Sequence, residues 1–107
     1  MTIIGTLKRE TTGFAGTIRT LTLTAYVTIE PVTSKRGDKS PDFRVYCQSS
    51  GPGEIGAAWT RSSDGQEYLS VRLDDPTFAA PLNCRLVKSA IEEGYYSLIW
   101  ERDRKRS

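Results

Sequence analysis

The sequence predicts an all-β protein, a small antiparallel barrel or sandwich of seven to eight short strands, with at most one helical turn near residues 89–93. Three observations predict it. Apolar and polar residues alternate with period two along most of the chain. Turn-forming residues interrupt that alternation about every ten residues, as in small sandwiches and barrels. Apolar spacing of the helical kind is almost absent.

In chain order, Ile3, Gly5 and Leu7 share one side of a first strand, and Thr12-Gly13 reads as the turn into Phe14–Arg19. Leu21, Leu23, Ala25, Val27 and Ile29 then alternate with Thr20, Thr22, Thr24, Tyr26 and Thr28, a run of β-branched residues suited to a pleated, half-buried surface. Ile18 is out of phase with Leu21, which predicts a bulge or corner near Arg19-Thr20. Pro31 ends the run.

Residues 33–41 are polar and read as a loop, after which Phe43, Val45 and Cys47 alternate with Arg44, Tyr46 and Gln48. A second loop covers 48–53, and Ile55, Ala57 and Trp59 are read on one inward face of the next strand. Ser62-Ser63-Asp64-Gly65 is a hairpin signal, because Gly after Asp tolerates the positive φ of tight turns. Leu69, Val71 and Leu73 point inward on the return strand, with Tyr68, Ser70 and Arg72 outward. Asp74-Asp75-Pro76 breaks that strand. Leu82, Cys84 and Leu86 form another alternating set, and after Gly94 a last strand carries Tyr96, Leu98 and Trp100. Trp59 and Trp100, in phase with the inward residues, are read as core.

A chain of 107 residues has room for one modest core, so one domain is expected over 1–101, followed by a basic, flexible tail over 102–107. Charged residues make up 26% of the chain, and no apolar run approaches the roughly 20 residues that span a bilayer. With no signal-peptide pattern at the start, the expected location is cytoplasmic, with no membrane association.

Absence of histidine removes Ser-His-Asp and Cys-His chemistry and leaves a zinc site short of ligands, so no metal and no cofactor are expected. Cys47 and Cys84, far apart in sequence, are read as small buried apolar residues, with a Cys47–Cys84 or intermolecular bridge as the alternative. Asp42, Asp74 and Asp75 are the candidate carboxylates for hydrolysis, but a strand-ending turn explains Asp74-Asp75-Pro76 better, and no enzyme activity is expected.

The net charge of +2 is unevenly placed. Arg102, Arg104, Lys105 and Arg106 crowd the tail, and without the last six residues the body holds eleven basic against twelve acidic groups. A protein that grips a phosphate backbone usually carries its basic excess on the folded body. Tyr26, Tyr46, Tyr68 and Tyr95 fall on faces opposite the main apolar sets, beside Arg44 and Arg72. These six form the candidate binding surface. They suit a protein–protein interface, and they suit a platform on which bases stack.

The segments Glu54–Trp59 and Asp64–Pro76, with Ile3–Thr6, Gly16–Leu21, Pro41–Val45 and Ser97–Trp100, together resemble the bacterial domain-of-unknown-function family 736. The chain departs from that pattern in a longer Gln48–Gly53 loop and in its basic tail. The resemblance supplies no catalytic or binding residue, because the family has no established activity. It implies a setting on conjugative plasmids and integrative elements, near anti-restriction and partition genes. The function expected is therefore a mobile-element protein, monomer or homodimer, that binds and inhibits a host defence complex (CRISPR–Cas or restriction) without chemistry. The alternative is a single-stranded nucleic-acid-binding barrel serving plasmid transfer or replication.

Overall fold

The computed structural model describes residues 2–21, 24–33, 37, 40–48, 53–74 and 80–100. It is a closed barrel of eight strands in sequence order. They are β1 (Thr2–Arg9), β2 (Phe14–Arg19), β3 (Thr24–Pro31), β4 (Phe43–Cys47), β5 (Gly53–Ser63), β6 (Gln66–Leu73), β7 (Leu82–Lys88) and β8 (Tyr95–Trp100). Each strand pairs antiparallel with the next, and β8 returns to pair with β1. Closure decides between barrel and sandwich, and it leaves no sheet edge to template association.

Eight strands enclose a space just wide enough for side chains to fill. Leu7, Ile18, Val27, Ile29, Val45, Ala58, Val71, Leu73, Leu86 and Leu98 fill it, each at most 2% exposed. Among the described residues no polar or charged residue is buried with them. Thr6, Thr17, Thr24, Tyr26, Arg44 and Arg72 face outward, the reverse of the polarity a lipid-facing barrel needs. No helix among the described residues is long and apolar enough to cross a membrane.

The predicted Asp64-Gly65 hairpin forms, with φ of 54° and 79° at its two central residues and Ser63 paired to Gln66. Positive φ at both positions gives the turn a twist that matches the strands it joins. Glu10 donates its N–H to the Gly13 carbonyl at 2.7 Å, closing the expected turn between β1 and β2.

Three expectations are corrected. The bulge or corner expected near Arg19-Thr20, inside a continuous run, is a reversal of the chain: Arg19 pairs with Thr24, so β2 ends there and β3 returns beside it. Leu21 lies between those strands and is fully exposed, while Leu23 is outside the described residues. Pro31 ends the strand as expected, as the last residue of β3.

The second correction concerns β1. Ile3 faces Ile99 and Gly5 faces Leu98, so Ile4 is an extra residue in a bulge. Ile4, not Ile3, is buried, and Ile3 stands 62% exposed. The third is the same device in β5. Val45 faces Gly56 but Tyr46 faces Glu54, leaving Ile55 as the extra residue. One inserted residue moves every later side chain to the other face. Gly56 and Ala58 therefore point inward, and Ala57 and Trp59 outward, contrary to the assignment of Trp59 to the core. Ile55 still packs against the core from the bulge, and Trp100 packs there as expected.

At 89–93, where at most one helical turn is expected, no helix forms. The Ser89 hydroxyl oxygen accepts the N–H groups of Ile91 and Glu92, each at 3.2 Å, and Ser89 N–H donates to the Tyr95 carbonyl at 2.9 Å. These local bonds offer the backbone an alternative to a helix.

Cys47 and Cys84 are both free thiols, Cys47 half-buried and Cys84 buried. Burial pushes the Cys84 thiol up to about 12 from an ordinary 9.0. Below pH 9 the thiol is protonated in both folded and unfolded chains. Between 9 and 12 the unfolded chain gives up a proton that the folded one keeps, so stability falls as pH rises through that window. Titration with an aromatic disulfide reagent at neutral pH is expected to label Cys47 in the native protein and Cys84 only on unfolding. Immediate labelling of both would contradict this packing.

Candidate functional site

The outer wall of β4–β7 gathers aromatic and arginine side chains around two small residues. Arg44 on β4 faces Ala57 on β5, which faces Arg72 on β6, so one row across three strands carries an arginine on each side of an alanine. The next outward residue of β5 is Trp59, opposite Ser70, and Ser70 in turn faces Arg85 on β7. Ala57 is the small residue between these larger side chains. Glu54, Ala57, Trp59, Arg72 and Asp74 line a depression of about 230 Å³ there.

Two contacts fix the wall's orientation. Arg44 Nη1 donates to Glu54 Oε2 at 2.7 Å, with both side chains close to half exposed, so this pair orients Arg44 more than it stabilises the barrel. The Arg85 guanidinium lies 5.9 Å from the centre of the Tyr68 ring, within cation–π range. Tyr46 stands opposite Glu54, and Tyr26 on β3 is its diagonal neighbour through the Thr28–Tyr46 pair.

The structure thus brings Tyr26, Arg44, Tyr46, Tyr68 and Arg72 onto one continuous stretch of wall from β3 to β6. Tyr95 is not part of it. It pairs with Lys8 of β1 on β8, four strands from β4 and on the opposite wall of the barrel. Arg102, Arg104, Lys105 and Arg106 lie outside the described residues. Sequence reading missed Trp59, Arg61 and Arg85 as outward members of the wall. The signal for Trp59 is the Ile55 bulge, and small residues at 56–58 leave the strand phase open.

Charges are balanced over β4–β7 and their connections taken together. Among the described residues from 42 to 88, Arg44, Arg61, Arg72, Arg85 and Lys88 are matched in number by Asp42, Glu54, Asp64, Glu67 and Asp74. A polyanion gains little from such a surface, whereas a protein partner with mixed charges can register on it.

The candidate carboxylates have structural positions. Asp42 Oδ2 accepts the Thr60 N–H at 2.8 Å, its own N–H donates to Ala58, and its carbonyl accepts Val32 N–H. Asp74 N–H donates to the Ile55 carbonyl at 2.7 Å, which ties the end of β6 to the β5 bulge. Asp75 and Pro76 lie outside the described residues. No three of the Cys, Asp and Glu side chains converge among the described residues.

Comparison with known proteins settles the family. The signature described as "protein of unknown function (DUF736)" matches residues 3–103. The chain belongs to that family. No curated protein and no solved structure matches it. The DUF736 chain therefore takes no site residue from a relative, and its wall is read from its own geometry.

Proposed function

We propose that this DUF736 chain is a non-enzymatic binding protein that docks on a partner protein through the outer wall of β4–β6. The observation that carries the reading is Trp59, turned outward by the Ile55 bulge and set beside Arg72 and the Arg44–Glu54 pair. Trp, Tyr and Arg are the residue types that supply most interface binding energy, and they do so when they surround a small, dry pocket. Charge balance over β4–β7 and their connections favours a protein over a nucleic acid.

The partner we propose is a subunit of a host defence complex, CRISPR–Cas or restriction, which the chain inhibits by occupying its surface. Carriage on plasmids and integrative elements, implied by the family resemblance, supports that choice. A chain without histidine has no imidazole to shuttle protons near neutral pH, which suits inhibition by occupancy rather than by chemistry. The test is protection: cells with a resident defence system are challenged with a targeted plasmid, with and without this chain. Increased plasmid survival that disappears when the defence genes are deleted is the expected result. Unchanged survival across the defence systems of the host overturns the reading.

A further inference from the structure

We propose a second site, at one mouth of the barrel, that binds a small aromatic carboxylate whose ring carries a hydrogen-bond donor. The mouth is a cavity of about 300 Å³, at the lower end of the size range of small-ligand pockets and suited to a single ring. Its floor is Phe14, Phe43, Leu69, Leu86 and Tyr96, the top layer of the core. The aromatic members are already arranged edge to face: Phe14 and Tyr96 have ring centres 4.9 Å apart at 78°, and Phe14 and Phe43 6.2 Å apart at 61°. Edge-to-face packing of this kind extends favourably to one more ring.

The rim is polar and asymmetric. β5 and β6 continue past the barrel to the Asp64-Gly65 turn, and their inward positions there are Thr60 and Glu67. Across the mouth, Arg9 ends β1, with its guanidinium 5.3 Å from the Phe14 ring centre. The ring on the floor holds Arg9 from one side and leaves its other donors to the cavity. The Arg44–Glu54 ion pair involves neither Arg9 nor Glu67.

A cation on the β1 side and a carboxylate on the β6 side select a ligand with unlike ends. A carboxylate is held by Arg9, a ring rests on Phe14 and Tyr96, and a phenol-type O–H donates to Glu67. This site shares only Tyr68 with the outer wall, and its test is independent of the docking proposal.

The probe is 4-hydroxyphenylacetate, titrated into the labelled full chain and followed by backbone amide NMR shifts. Saturable shifts at Phe14, Thr60 and Tyr96 are expected, and tyramine, which carries an ammonium in place of the carboxylate, is expected to produce none. Loss of a charged hydrogen bond in Arg9→Gln is expected to weaken binding about tenfold or more. Glu67→Gln, a rim change far from the core, is expected to reduce the preference for 4-hydroxyphenylacetate over phenylacetate. Shifts that fail to saturate by about 10 mM overturn the proposal, since such binding is weaker than about 4 kcal/mol. Saturation at other residues, or equal binding of tyramine, also overturns it.

Discussion

Gly16→Ala is expected to destabilise the barrel by about 3 kcal/mol, at the upper end of what overfilling a packed interior costs. Gly16 sits on β2 between Leu7 of β1 and Val27 of β3. A Cβ built there comes 2.1 Å from the Thr6 carbonyl oxygen and 2.6 Å from the Leu7 Cα. Both obstacles are backbone, so no side chain can rotate away, and β1 and β2 must separate there. A small domain holds only about 5–15 kcal/mol of net stability, so this one methyl removes a large share. Urea unfolding reads the effect as a lower midpoint at unchanged slope. Gly37→Ala is the control, because a Cβ there meets nothing within 4 Å. Equal midpoints for the two variants would contradict the close approach of β1 and β2.

Trp59→Ala is expected to separate binding from stability. Trp59 faces outward opposite Ser70 and is not among the residues packed against the core. Truncation at a central interface tryptophan typically costs at least about 2 kcal/mol of binding, roughly thirtyfold. The same change on an outer wall is expected to cost under about 1 kcal/mol of folding stability. Trp100→Ala provides the contrast. Trp100 packs against the core beside Cys84, so its truncation is expected to cost about 3 kcal/mol of stability. Partner affinity by calorimetry and unfolding midpoints for both variants give the comparison. A Trp59 variant that keeps full affinity removes the wall from the binding surface.

Much of the fold is legible because alternation is a backbone property. Leu69, Val71 and Leu73, then Leu82, Cys84 and Leu86, read inward from the sequence and are inward in the barrel. Asp64-Gly65 is legible because its chemistry admits one kind of turn. The failures share a cause. At Ile4 and Ile55 a single extra residue shifts the phase, and an apolar extra residue that packs inward leaves the pattern looking intact. Leu21 fails differently: β-branched threonines on both sides make 20–29 read as one strand, although closing the barrel requires a reversal after Arg19.

Part of the candidate site was legible for the same reason. Tyr46 and Arg44 alternate with buried Val45, and Tyr68 and Arg72 alternate with Leu69 and Val71, so their exposure follows from the core. That these two strands flank β5 is a matter of strand order, which periodicity does not encode. Tyr95 has the same local pattern, yet strand order places it on the far wall.

The most direct measurement of the central claim is an affinity pull-down of the tagged chain from host cells, with and without nuclease, with Trp59→Ala run in parallel. The account predicts stoichiometric capture of a defence-complex subunit that survives nuclease and is lost with Trp59→Ala. Capture of nucleic acid, with every protein partner lost on nuclease treatment, would contradict it and favour a single-strand-binding barrel.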